Sequence, residues 1–150
     1  MTTWSSGSQA RIDCVHVYVD GGAQPNPGHS GAGVVVVDDQ GKELKRKSYY
    51  LGPRHTNNEA EYLAILKGLD LAAGYCRRTV TVYSDSQLVV KQLNREYRIK
   101  AENLLPLQRQ IAMAQSTFET ATYVDVSSQN PWIKIAHTLS DQAIATRGSP

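Results

Sequence analysis

The feature that most constrains this chain is a change of hydrophobic period near residue 56: apolar residues alternate before it and recur every three or four positions after it. "IDCVHVYVD" (12–20) alternates and is rich in β-branched residues, which predicts a strand ending at Asp20. "GGAQPNPGHSG" is dense in Gly, Pro and Asn and is expected to turn. "AGVVVVDD" is a second strand, "GK" marks the next turn, and "ELKRKSYYL" is a third strand, together an antiparallel meander. In "TNNEAEYLAILKGLDLAAGY", Tyr62, Ile65, Leu66, Leu69, Ala72 and Ala73 then fall on one helical stripe. Asn58 is a candidate N-cap, Glu59 and Glu61 are acids in the favoured first turn, and Gly74 is placed to end the helix.

Further on, "TVTVYS" (79–84) is a strand that runs into a short helix, "DSQLVVKQLN". "ENLLPLQRQIAMAQ" is expected to be helical after its proline, "FETATYVDV" (118–126) is a last strand, and the loop "SSQNPWIKI" leads to a terminal helix over "AHTLSDQAIA". The order β-β-β-α-β-α-α-β-α joins strands through helices. It therefore predicts an α/β fold: a mixed five-stranded sheet with helices on its faces. Ligands of such sheets gather beyond the carboxyl ends of the parallel strands.

At 150 residues the chain is long enough for one domain with a proper core, expected over residues 11–147 behind a polar tail at 1–10. With 41% hydrophobic and 20% charged residues and a net charge of +2, it has the balance of a soluble globular protein, which permits nucleic acid without demanding it. No apolar run is long enough to span a membrane, and "MTTWSSGSQA" lacks the features of a secretory signal, so a cytoplasmic monomer is expected. Cys14 and Cys76 are too few for a disulfide framework and are expected to be buried free thiols.

Asp20 ends the first strand and Asp85 follows the fourth, so both lie where a site would form, although a turn residue and a helix cap are the plainer roles for them. A third acid would be Glu59 or Glu61. These stand about 200° apart on a helix and cannot share one site; Glu61, next to Tyr62, leans toward the sheet, without spacing alone deciding. Converging acids with no Lys or Arg nearby in sequence would repel one another unless a hard divalent cation such as Mg²⁺ joined them. Two such ions can activate a water and stabilise a leaving oxygen in phosphodiester cleavage.

Together, "VYVDGGAQPNPGHSGAGVVV", "TNNEAEYLAILKGL" and "VYSDSQLVVKQLN" resemble the motifs of type 1 ribonuclease H: its D-G-x-x-x-x-N-P-G turn, its T-N-N-x-x-E helix start and its S-D-S strand end. "ENLLPL" is similar to the segment that follows, and the resemblance covers roughly residues 13 to 146 in the right order. It implies the RNase H-like fold and endonucleolytic cutting of the RNA strand of an RNA–DNA hybrid, leaving 5′-phosphate and 3′-hydroxyl ends. It implies two Mg²⁺ ions, with Mn²⁺ able to substitute, held by Asp20, Glu61 and Asp85. It also implies hybrid contacts from Gly21, Gly22, Asn26, Asn57, Asn58 and Gln87, where amide side chains can recognise the 2′-hydroxyl that distinguishes RNA from DNA. Asn26, Asn57 and Asn58 are equally good turn and cap residues.

The family's fourth ligand is usually an Asp in A-D-x-L-A-x-x-A. Aligning Ala136, Leu139 and Ala143 puts His137 in its place; aligning on Asp141 instead fits the flanking residues less well. His137 could hold an ion, although imidazole suits transition metals better than Mg²⁺, or could move protons, with Asp141 one turn away. The mobile His that many members carry before the terminal helix is missing from "SSQNPWIKI". His16 is expected to be packed, and His29 and His55 to be solvated in turns. The segment 94–108 lacks a long basic protrusion, leaving Arg95, Arg98 and Lys100, with "KELKRK" (42–47), as candidate phosphate contacts. Trp132 would stack on substrate or pin its loop. Two alternatives remain: another nuclease of this fold, resolvase- or integrase-like, and a module that binds nucleic acid without cutting, which the absent fourth Asp would favour.

Overall fold

The alternation of the first third of the chain is realised as three long strands, in a computed structural model that describes residues 12–148. The tail expected over residues 1–10 lies outside the described residues. The strands are β1 (Cys14–Gln24), β2 (Gly28–Asp38) and β3 (Glu43–His55), followed by α1 (Asn57–Ala72), β4 (Thr79–Ser84) and α2 (Gln87–Leu93). A single 3-10 turn (Glu102–Leu104) leads into α3 (Leu105–Gln115), and β5 (Thr120–Asp125) and α4 (Pro131–Thr146) complete the described elements. The predicted element order is the observed one.

The sheet runs β3-β2-β1-β4-β5. The meander is antiparallel, whereas β4 and β5 join β1 in parallel through helical crossovers. Alternation on β1 sends Val15, Val17 and Val19 into the main core, where they meet Tyr62, Ile65 and Leu69 of α1. The opposite sheet face packs Tyr18, Val35 and Val37 against Trp132, Ala136 and Leu139 of α4. Among the described residues no helix is long and apolar enough to cross a membrane.

Several boundaries differ from expectation. The Gly-rich segment after Asp20 is mostly strand: the β1–β2 ladder continues to Gln24 opposite His29, confining the turn to residues 25–27. Glycine was no obstacle here, because the ladder is held by backbone bonds alone. The N-cap of α1 is Thr56, not Asn58. Its hydroxyl accepts the Glu59 N–H while the Glu59 carboxylate accepts the Thr56 N–H, a reciprocal capping box. The terminal helix begins five residues before Ala136, at Pro131, because Asn130 caps it by accepting the N–H groups of Trp132 and Ile133. Trp132 is therefore on the helix, 6.2 Å from the Tyr18 ring, and not in a loop. His29 and His55 are half-buried on strands: His29 shares a hydrogen bond with the Tyr50 hydroxyl and His55 with the Leu51 carbonyl. Cys76 is buried as expected, but Cys14 is only half-buried.

Two glycines of β2 set the height of α4. A Cβ at Gly33 would stand 1.9 Å from the Ala136 carbonyl oxygen, and one at Gly31 would stand 2.5 Å from that of Ser140. Helix backbone thus rests directly on the strand, and the Ser48 hydroxyl adds a bond to the Leu139 carbonyl. Gly33→Ala must push α4 off the sheet; overpacking of this kind costs roughly 1–3 kcal/mol. Chemical denaturation should show that loss, together with weakened protection of the α4 amides in hydrogen exchange. Wild-type stability in Gly33→Ala would contradict the close seating.

Candidate active site

β1 and β4 are parallel neighbours, so their carboxyl ends open on the same edge of the sheet. Asp20 lies within β1, opposite Gly33, on the face that α4 covers. Asp85 follows β4 directly; it is not the cap of α2, because the Ser86 hydroxyl accepts the Val89 N–H in that role. Glu61 enters from the first turns of α1. Ligand oxygens of these three acids all lie within 4.8 Å of one another. Glu59 is occupied in the capping box, so the choice that spacing left open falls to Glu61.

Close backbone approach makes this convergence possible. A Cβ on Gly21 would sit 2.2 Å from the Ala60 carbonyl oxygen, so only glycine lets α1 come so near to β1. The Gly21 N–H then donates to Glu61 Oε1 at 2.6 Å, aiming the carboxylate into the cluster. The Ser84 hydroxyl favours the charged form of Glu61 and accepts the Ser86 N–H. Ser84, the first serine of the S-D-S strand end, was given no role in the sequence; its further signal there is a polar residue on an inward face otherwise made of Val80 and Val82.

Asp20, Asp85, Gly21, Gly22, Asn57, His137 and Asp141 line a single cleft of about 280 Å³, together with Gln24 and Ser140, which sequence reasoning did not single out. Asn57 accepts the Ala23 N–H through Oδ1 at 2.8 Å, and its own N–H donates to Asn26 Oδ1 at 3.0 Å. Asn26 is thus tied to the cleft without lining it. Asn58 instead lines a neighbouring hollow of about 540 Å³ with Leu88, Tyr97, Arg98 and Lys100, while Gln87 is exposed at the start of α2. Lys45, Arg46 and Lys47 are exposed on edge strand β3 outside the cleft, with Arg46 engaged by Glu43 at 2.6 Å.

His137 reaches the cluster and Asp141 reaches His137. The ring is hydrogen-bonded to Asp20 Oδ2 through Nδ1 at 2.8 Å, and its Nε2 lies 3.2 Å from Asp141 Oδ2 as an ion-pair contact. Burial pushes the Asp20 carboxyl up to about 6, opposed by the His137 hydrogen bond and reinforced by the charge of Asp85. Burial, with Asp20 beside it, raises Glu61 well above the ordinary carboxylate range. His137 is raised in turn, chiefly by its bond to Asp20. Among the described residues the cleft is lined by no Lys or Arg. Its donor set of carboxylate oxygens, two of them buried, therefore fits a hard divalent cation.

Sheet order, parallel edge and acid cluster define the class: an RNase H-like α/β protein with a site suited to divalent metal. Residues 18–143 match the sequence profile of the reverse transcriptase-like family, and the chain belongs to that family. It is 36% identical over 110 residues to the bifunctional protein Rv2228c of Mycobacterium tuberculosis, covering 73% of this chain and 30% of that protein. The chain thus spans under a third of the length of the first curated relatives it matches. Among solved structures, RNase H1 from the halophilic archaeon Halobacterium salinarum NRC-1 superposes with a TM-score of 0.82 at 29% identity, covering 88% of this chain and 98% of that one. LC11-RNase H1 in complex with an RNA/DNA hybrid gives a TM-score of 0.80 at 32% identity, covering 90% and 99%. The similarity to type 1 ribonuclease H therefore extends from motifs to the whole fold.

The raised carboxyls set a pH dependence for the metal-free protein. Asp20 binds a proton more tightly folded than unfolded, so its stabilising contribution is complete below about pH 4 and is lost as pH rises through about 6. The loss is of order 3 kcal/mol. Melting temperature in EDTA should fall across that window, and Mg²⁺ should restore it at neutral pH but not at pH 4. Asp20→Asn should flatten both responses. A melting temperature that rises from pH 4 to 6 in EDTA would overturn this account.

Proposed function

We propose that this chain is a divalent-metal-dependent endonuclease that hydrolyses the RNA strand of RNA–DNA hybrids, leaving 5′-phosphate and 3′-hydroxyl ends. The observation that carries the reading is the meeting of Asp20, Glu61 and Asp85 within 4.8 Å where the carboxyl end of β4 lies beside β1. The hybrid complex of LC11-RNase H1, alike over nearly the whole of both chains, supports the choice of substrate.

Two Mg²⁺ ions bound here, with Mn²⁺ able to substitute, would supply an activated water and charge stabilisation for the leaving oxygen. The chain's residues divide the remaining work. Asp20 and Asp85 offer oxygens at the cleft, and Glu61 is held beneath them by Gly21 and Ser84. Gly21 and Gly22 present bare backbone to the substrate. Asn57 spends its carbonyl oxygen on Ala23, which leaves its amide N–H groups free to donate to a 2′-hydroxyl. Asn26 fixes Asn57 from behind, and Asn58 and Gln87 stand at the helix starts flanking the neighbouring hollow. Arg98 and Lys100 in that hollow replace a long basic protrusion as phosphate contacts for the second strand.

His137 takes the fourth corner in place of an aspartate. Its Nδ1 bond occupies an Asp20 oxygen, so an ion at Asp20 must share that oxygen with the imidazole or take it over. An imidazole at this corner favours Mn²⁺ over Mg²⁺ relative to an all-carboxylate site.

With a labelled hybrid, the protein should cut only the RNA strand in Mg²⁺ or Mn²⁺, stop in EDTA, and leave duplex and branched DNA intact. Asp20→Asn should abolish cutting, and His137→Ala should cost more than about tenfold, with a larger loss in Mn²⁺ than in Mg²⁺. A hybrid bound but uncut in both metals would replace the nuclease with a binding module.

A further inference from the structure

His137 is the weakest-held member of the site by packing, since its side chain is 63% exposed. Its backbone is fixed by the seating of α4 on Gly31 and Gly33, but nothing apolar encloses the ring. Polar contacts must therefore choose its rotamer. One goes to Asp20, the group it serves. The other, from Nε2, is an ion-pair contact of 3.2 Å with Asp141 one helical turn later, and Asp141 is itself held from a different element: Gln24 Nε2 donates to Asp141 Oδ1 at 3.1 Å.

We propose that Asp141 and Gln24 are positioning residues that lock the His137 ring against Asp20. The proposal rests on the reading of His137 as the fourth corner of the site.

Strand geometry explains why Gln24 fits the task. Asp20, Gly22 and Gln24 are alternate residues of β1 and share the face that α4 covers. Four residues of strand advance about 13 Å, while four residues of helix advance about 6 Å. Asp20 and Gln24 therefore spread wider than His137 and Asp141, and the long Gln24 side chain closes the difference. Gly22, between them, puts no side chain in the way. The result is a closed circuit in which two β1 residues grip two α4 residues, and each Asp141 oxygen has a separate partner. Asp141 alone, on the same helix as His137, could move with it; Gln24 ties the pair to the sheet that carries Asp20.

The test combines NMR of the metal-free protein with hybrid cleavage. Signals of the His137 ring, assigned by their loss in His137→Ala, should report one fixed environment in wild type and rotamer averaging in Asp141→Ala and Gln24→Ala. Gln24→Glu has the same length but no amide donor, and should behave like Gln24→Ala. In cleavage assays Asp141→Ala and Gln24→Ala should lower kcat about fivefold with KM for the hybrid unchanged. Neither should cost anything further in a His137→Ala background, because each acts only through the ring. Unchanged ring signals in both alanine variants, wild-type behaviour of Gln24→Glu, or losses that add to that of His137→Ala would each overturn the proposal. If wild type leaves the hybrid uncut, the nuclease reading fails, while the ring signals still decide whether the lock exists.

Discussion

The missing side chains of Gly31 and Gly33 bring the α4 backbone down onto β2, with helix carbonyl oxygens where Cβ atoms would otherwise stand. On the other face Gly21 does the same for α1, admitting the Ala60 carbonyl. The two helices that carry Glu61 and His137 are thus held at backbone contact with the strands they serve. Side chains only a few bonds long can then converge from three elements on one point. A spacing even one methyl wider would leave the carboxylates apart, and their mutual repulsion would widen the gap.

That repulsion is the second constraint. Asp20 and Glu61 are buried; burial and the charge of Asp85 raise both carboxyls, and the charge of Asp20 raises Glu61 further. The fold opposes this with small, directed donors: the Gly21 N–H and Ser84 hydroxyl on Glu61, and the His137 ring on Asp20. None of them supplies the charge a divalent ion would. On the proposed assignment of His137 to the fourth corner, the imidazole brings a donor to the cluster in place of a further negative charge. It thereby eases the metal-free state at some expense in attraction for the ion.

Element order, sheet class and the three acids were legible in the sequence because each leaves a pattern: alternation of period, a polar residue at a strand end, and three motifs in order. Boundaries were less so. The Gly-Pro-Asn density after Asp20 pointed to a turn, but backbone pairing needs no side chains, and the strand ran on to Gln24. The start of α4 was hidden because Asn130-Pro131 resembles a loop until its capping bonds are seen. Glu61 could not be separated from Glu59 by spacing alone; what separates them is a capping box that consumes Glu59. Gln24 and Ser140 match no motif residue, and Ser84 stands in the S-D-S strand end without a role being legible there; their places follow only from which side chains the packed elements bring together.

Alternation along β1 has a consequence of a different kind. Asp20 faces α4 while its neighbours Val19 and Gly21 face α1, so the site is indexed to the parity of the strand and not to distance along the chain. Gaining or losing one residue between Cys14 and Asp20 would turn the acid into the valine-lined core and bring a valine to the cleft. Length changes in the turn at 25–27 leave that parity untouched. The turn is thus constrained by the Asn26 bond to Asn57 and not by parity, whereas β1 can change only by whole pairs of residues or by substitution.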